Sequence, residues 1–381
     1  MGTTSDTRPA PRPNIFSKAG ITVWEAGFSA LDAYYRVSPS PLRFLLAQGG
    51  LADLARASDG LEYPGLFYAD ASIGAQDGEA DWEPSRFTYI CLADDKSGAE
   101  PAAFAPLDLL RDPARKAFFL DPKGVYPELR RKELEPRRAP AERLIFEAAG
   151  LLARYDYDLP AEFAPQPPRD FGLAAQRDLL LLVLTGKTPE RALGFLKSIG
   201  FIEAYWPEIA ALEGVDQAKE FHPEGDVWAH TMETFRYRKA PDFRLSLALL
   251  LHDTGKPRAS ASEGRRFDRH AEIGASVASR FLARLGFPRS LGEDVAYLVR
   301  YHMLPAALPR LPLERGIEGV DEPLFPLLLE LYKCDELSTF KGPEGYYEAC
   351  AAYRAHLRNS RNPYRSPEAL RLAHIYLTNR V

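Results

Sequence analysis

The stretch RLSLALLLHD, residues 244–253, decides how the rest of the chain is read. Leu245, Ala248 and Leu249 precede His252 by seven, four and three positions, so the spacing predicts a helix with the histidine on its apolar face. Asp253 follows at once. A buried, unpartnered carboxylate costs on the order of several kcal/mol, so an aspartate at the inner end of such a helix needs a cation or a strong donor.

Four more segments repeat the arrangement. In GEDVAYLVRYH (292–302), His302 follows Val295, Leu298 and Val299 at the same spacings. In LLLELYKCD (327–335), Asp335 follows Leu328 and Leu331. His270 in HAEIGASV shares a face with Ile273, Gly274 and Val277, and His230 in GDVWAHTMET shares one with Val227 and Thr234. Five helices are thus expected to aim an ionisable group inward. Of the seven histidines, five lie between His222 and His302. Imidazole is the commonest metal ligand, and neutral imidazoles with carboxylates form a divalent-metal site. The predicted ligands are His230, His252, Asp253, His270, His302 and Asp335. His222 lies off the pattern, and His356 and His374 are read as structural or surface residues.

Outward from this region the helical period dominates from Ala141. AERLIFEAAGLLARYDY (141–157), LAAQRDLLLLVLTG (173–186) and PERALGFLKSIG (189–200) read as helices, with a Pro-rich break, APQPPRD, at 164–170. A short hairpin is expected around Ser260–Phe267. Residues 15–140 read as a small α/β domain, with strands at Leu66–Ala69 and Arg86–Leu92, helix in stretches such as Pro41–Arg56, and a loop at Ile73–Ser85. The expected architecture is mainly α. It comprises a flexible tail (1–14), the α/β domain (15–140), a helical neck (141–215), a metal-bearing helical domain (216–345) and C-terminal helices (346–381).

The 381 residues are 46% hydrophobic and 27% charged, with a net charge of −5, which gives no global electrostatic case for a nucleic-acid-coating protein. The three cysteines, Cys91, Cys334 and Cys350, suit neither a disulfide framework nor a paired zinc signature. The N-terminus lacks the apolar segment of a signal peptide, and no apolar run is long enough to span a bilayer. A cytoplasmic protein without membrane partners is expected; oligomeric state is not legible.

The strings FHPEGDVWAHTMET, LLHDTGKP, FDRHAEIGA, LVRYHM and CDELST resemble the HD superfamily of metal-dependent phosphohydrolases. More narrowly they resemble the HD domain attached to bacterial tRNA nucleotidyltransferases and poly(A) polymerases, and KSIGFIEAYWPEIAALEGVDQ is similar to that family's segment just upstream. The resemblance implies one divalent ion on His230, His252, Asp253 and Asp335, with His270 and His302 serving a second ion or the substrate. It leaves manganese, nickel, iron, magnesium and zinc undistinguished. It gives Asp253 the role of orienting the attacking water and Lys256 that of neutralising a phosphate. Arg258, Arg265 and Arg266 flank or sit in the expected hairpin and are candidate phosphate contacts.

In the resembled family an N-terminal palm transfers nucleotides, using a Gly-Gly turn, an Arg-Asp pair and a D-x-D. Here LLAQGGLADLARASDG keeps Gly49 and Gly50, puts Asp53 one position early and has Ala52 where the arginine belongs. The nearest D-x-D is Asp70-Ala71-Ser72, and Asp94-Asp95 has the wrong spacing. The palm is read as degenerate. The basic stretch 129–143 is read as a solvated face. Three functions follow: a metal-dependent phosphohydrolase acting on nucleotides or RNA ends, including tRNA; a tRNA nucleotidyltransferase with a divergent palm; and a non-catalytic RNA-binding module.

Overall fold

The computed structural model describes residues 20–58, 60–73, 87–93, 100–115, 117–215, 225–259, 267, 269–311, 318–339, 342–359 and 367–377. The chain forms two compact units, one of Met1–Ala148 with Tyr157–Phe163, the other of Ala149–Asp156 with Ala164–Val381.

Among the described residues the first unit holds seven strands: β1 (Thr22–Glu25), β2 (Leu42–Gln48), β3 (Leu61–Glu62), β4 (Ala71–Ile73), β5 (Phe87–Ala93), β6 (Leu110–Arg111) and β7 (Phe119–Leu120). They make one sheet in the order β3-β4-β5-β2-β1-β6-β7. β2 and β5 pair in parallel, from Leu42↔Phe87 to Gln48↔Ala93, and the other pairings are antiparallel. Around the sheet lie α1 (Gly27–Tyr35), α2 (Leu51–Ala57), α3 (Tyr126–Arg131) and the first half of α4 (Ala141–Tyr155).

Two sequence expectations fail here. Pro41–Arg56 is not helical throughout, because Leu42–Gln48 is the central strand β2 and helix begins only at Leu51. Leu45 and Ala47 pack with Ile21, Val23, Leu54, Ala71 and Ile90 on one face, while Phe44 meets Phe28, Tyr68 and Tyr89 on the other. A strand buried on both faces loses its alternation and reads like a buried helix. Leu66–Ala69 is a turn closed by the Ala69 N–H donating to the Leu66 carbonyl, not a strand. Its aromatic residues pack instead of pairing, with Tyr68 stacked on Phe146 at 4.5 Å. The expected strand at Arg86–Leu92 is β5, one residue shifted. The expected loop at Ile73–Ser85 and the expected hairpin at Ser260–Phe267 lie almost wholly outside the described residues.

The second unit is helical: α5 (Leu173–Leu184), α6 (Pro189–Ser198), α7 (Phe201–Tyr205), α8 (Pro207–Ala210), α9 (Val227–Thr234), α10 (Phe243–Leu251), α11 (His270–Arg284), α12 (Arg289–Tyr301), α13 (Leu304–Ala307), α14 (Phe325–Leu337), α15 (Glu344–Asn359) and α16 (Pro367–Leu377). Aspartate caps start two of them: Asp226 accepts from the Ala229 N–H at 2.8 Å and Asp242 from the Leu245 N–H at 3.1 Å. All of α10 is buried, as is α14 from Phe325 to Cys334. Leu245, Leu247, Leu249, Leu250 and Leu251 have no exposed surface. Each contributes about 2 kcal/mol of burial, which anchors a helix able to carry charged groups at its end. Among the described residues no helix is long and apolar enough to cross a membrane.

Candidate metal centre

Helix ends position most of the centre. His252 caps α10 and Asp253 stands just beyond it; His302 caps α12; His270 opens α11. His230 lies within α9 and Asp335 in the last turn of α14. The predicted six therefore come together from five helices. His230, His252, Asp253 and His302 are at most 2% exposed, while the Asp335 side chain keeps 23%.

The close approach depends on Gly255, whose role the sequence reading missed. A Cβ at this position would stand 1.9 Å from the His270 carbonyl oxygen and 2.7 Å from the Gly274 nitrogen. Only glycine lets the turn after Asp253 lie against the start of α11.

The hydrogen bonds fix which imidazole nitrogen faces the centre. Nδ1 of His252, His270 and His302 donates to the carbonyls of Leu249, Phe267 and Val299 at 2.8, 2.9 and 2.7 Å. His230 reaches the same state differently. The Ser338 hydroxyl donates to the Asp335 carbonyl at 2.6 Å, so its oxygen accepts from His230 Nδ1 at 3.1 Å. Ser338 stands one helical turn after Asp335, which is the signal that finds it. All four rings thereby turn Nε2 inward.

Asp253 divides the centre in two. Its Oδ2 lies 3.2 Å from His252 Nε2 and 3.9 Å from His230 Nε2, and its Oδ1 lies 3.8 Å from His270 Nε2. Asp335 Oδ1 is 2.9 Å from His230 Nε2 and 4.0 Å from His252 Nε2. On the far side His270 Nε2 and His302 Nε2 are 3.2 Å apart. Two ligand groups result, His230–His252–Asp253 and Asp253–His270–His302.

Burial pushes the pKa of His302 down to about 4, with His252 adding to the effect, so His302 is a neutral lone-pair donor near pH 7. Burial would raise the pKa of Asp253, but His252 and Lys256 outweigh it and hold the carboxyl well below the usual range. For Asp335 burial likewise acts upward and His230 overcomes it. The centre therefore holds two carboxylates and, on His302, an inward lone pair. His252 Nε2 and Asp253 Oδ2 are buried without a hydrogen-bond partner. Lys256 Nζ is 2.7 Å from Asp253 Oδ2, an ion pair outside hydrogen-bonding angles. The donor set fits divalent ions. Cis ligands about 2.1 Å from one octahedral ion stand about 3 Å apart, as His230 with Asp335 and His252 with Asp253 do here.

Among the predicted phosphate contacts, Lys256 borders the centre, whereas Arg258 is exposed on the 3-10 turn Lys256–Arg258. Arg265, Arg266 and His222 lie outside the described residues. His356 is structural: it is buried and meets Asp321 Oδ1 at 2.7 Å. His374 is exposed.

Residues 227–339 match the HD domain family model. The chain is also similar to tRNA nucleotidyltransferases. It is 34% identical to the CC-adding tRNA nucleotidyltransferase of Thermus thermophilus over 229 residues, 56% of this chain and 49% of that protein. It is 31% identical to the A-adding tRNA nucleotidyltransferase of Deinococcus radiodurans over 175 residues, 44% of this chain and 39% of that one. The chain spans about half the length of these relatives or less. A solved tRNA-processing enzyme in an apo form aligns over 97% of this chain and 98% of its own at 13% identity, with a TM-score of 0.47, too loose a likeness to carry an argument.

Proposed function

We propose that the chain is a divalent-metal phosphohydrolase acting on phosphate groups of nucleotides or RNA ends. The observation that carries this reading is the convergence of four Nε2 atoms and two carboxylates, with His252 Nε2 and Asp253 Oδ2 buried without a hydrogen bond and Asp253 Oδ2 in an ion pair with Lys256. His230, His252, Asp253 and Asp335 would hold one ion, and Asp253, His270 and His302 a second. Bound there, a divalent ion supplies an activated water and polarises a phosphoryl oxygen. Asp253 would orient that water. Lys256, released from its ion pair, meets the phosphate charge. The surrounding apolar helices limit solvent access. In this reading residues 216–345 are the hydrolytic domain and 15–140 a palm that has lost its own chemistry.

A second reading is nucleotidyl transfer to tRNA. The names of the relatives favour it over the first, since those proteins add C or A to tRNA. The residues of the sheet speak against it. The Asp70 carboxylate accepts from the Leu92 N–H at 2.8 Å, and Ser72 stands where the second acid of a metal pair would be. Asp94 and Asp95 lie outside the described residues.

One experiment separates the two. The purified chain is assayed on p-nitrophenyl phosphate, bis-p-nitrophenyl phosphate, 2′,3′-cyclic nucleotides and nucleoside monophosphates with manganese, nickel, magnesium or chelator. CTP and ATP incorporation into tRNA lacking its CCA end runs in parallel. Metal-dependent hydrolysis lost in Asp253→Ala is expected. Incorporation without hydrolysis would replace the first reading with the second.

A further inference from the structure

The first unit contains a cleft of about 490 Å³ that neither the HD centre nor the palm reading uses. It lies where β2 begins, at Arg43, whereas the Gly49-Gly50 turn follows the other end of that strand. Ligand sites on parallel strands gather at their carboxyl ends, so the fold alone predicts nothing here.

Three guanidiniums line the cleft: Arg36, Arg43 and Arg111. Two carboxylates accompany them, and both are engaged. Glu25 accepts from Arg43 at 3.0 Å and from Arg111 at 2.6 Å, while Asp32 accepts from the Ser40 N–H at 2.6 Å. Three guanidiniums against two carboxylates leave one positive charge in excess. Glu25 is 13% exposed and Arg111 19%, so the charge is held where water screens it poorly.

Arg36 caps α1 in the left-handed conformation, φ +54° and ψ +38°. Glycine adopts that geometry most easily, yet here the chain carries a long cation lining the cleft. Among the described residues Arg36 has no ion-pair partner. A helix C-terminus favours a cation by itself, which accounts for one arginine but not for three. Two lining hydroxyls add donors. Ser29 Oγ accepts from the Phe44 N–H at 2.8 Å and Ser40 Oγ from the Leu42 N–H at 3.1 Å, which leaves each hydroxyl hydrogen for another acceptor.

We infer that this cleft binds a phosphate group, through the guanidiniums of Arg36, Arg43 and Arg111 and the hydroxyls of Ser29 and Ser40. Planar guanidinium forks with hydroxyl donors match phosphate oxygens, and the volume admits a mononucleotide. The phosphate comes from a free nucleotide or from a 5′-phosphorylated RNA end. The inference does not rest on the hydrolytic reading of the other unit.

The test is calorimetric titration of the full chain, in chelator, with inorganic phosphate, adenosine 5′-monophosphate and a short RNA bearing either a 5′-phosphate or a 5′-hydroxyl. Saturable 1:1 phosphate binding is expected, at least about tenfold weaker in Arg36→Gly and Arg43→Ala and unchanged in Asp253→Ala. Arg36→Gly relieves the left-handed strain, so its folded state is secure and its loss of binding is interpretable. A preference for the 5′-phosphorylated RNA that Arg36→Gly abolishes names an RNA end as the source; response to the mononucleotide alone names the free nucleotide. Absence of saturable binding, or binding that both arginine variants retain, overturns the proposal. Loss of binding in Asp253→Ala alone overturns it as well and places the anion at the HD centre.

Discussion

Aspartates at the ends of core elements meet opposite fates in the two units. In the sheet unit Asp53 and Asp70 are exposed and satisfied locally. Asp53 caps the Gly50 N–H at 3.1 Å and pairs with Arg56 at 2.8 Å, and Asp70 accepts from Leu92. In the helical unit Asp253 is buried, its Oδ2 has no hydrogen-bond partner, and the imidazoles around it give their N–H groups to backbone carbonyls or to Ser338. Carboxylates that complete a turn commit part of their acceptor capacity to backbone donors. A carboxylate kept away from backbone donors, as Asp253 is, keeps more of that capacity for an ion. Motif residues in the two units are therefore told apart by their partners.

The predictions probe that contrast from strong effects to weak. Asp253→Ala removes the ligand common to both groups, so metal content measured by mass spectrometry should fall to background and hydrolysis by at least about a hundredfold. Retained stoichiometric metal would mean that Asp253 does not bridge. Gly255→Ala forces the Cβ against the His270 carbonyl, and chemical denaturation should show a loss of about 3 kcal/mol with weakened metal binding. An unchanged midpoint would show that the turn can relax.

Ser338→Ala leaves His230 Nδ1 without its acceptor. Metal affinity should drop about tenfold in a folded protein while Ser338→Thr restores it. Equal affinity in all three proteins would remove Ser338 from the centre.

Glu147 tests the sheet unit, where burial drives its pKa up to about 7 although Arg143 and the Phe104 N–H pull it down. A carboxyl whose folded pKa lies above its unfolded value binds more protons when folded. Stability is then greatest below about pH 4.5 for this group and declines as pH rises toward 7, by on the order of 3 kcal/mol in total. Glu147→Gln should flatten that decline in unfolding measured from pH 5 to 8, and a slope identical to wild type would reject the assignment.

The smallest effect belongs to Asp70→Asn. The amide oxygen still accepts from Leu92, so stability should change by less than about 1 kcal/mol and hydrolysis not at all. If nucleotide incorporation into tRNA is present and this substitution abolishes it, the contrast between the units breaks and the sheet is a working palm.

Much of the candidate metal centre was legible in the amino-acid order. A histidine three, four and seven positions after apolar residues faces inward on any helix, because the 3.6-residue period is local. His252 and His302 could be named for that reason, Asp335, His230 and His270 from the same period read on both sides, and Asp253 as the neighbour of His252, and the order of their strings pointed to the HD family. The sheet was less legible. Leu42–Gln48 carries apolar side chains toward two packed faces, and nothing local separates that from a buried helix. Tertiary structure alone decided the rest: which imidazole nitrogen turns inward, that Ser338 orients His230, that Gly255 admits α11, and that Arg36, Arg43 and Arg111 share a cleft. Each depends on atoms from segments distant in sequence or on the contacts of a turn. Periodicity fixes which face of an element a residue occupies, and packing fixes what that face meets.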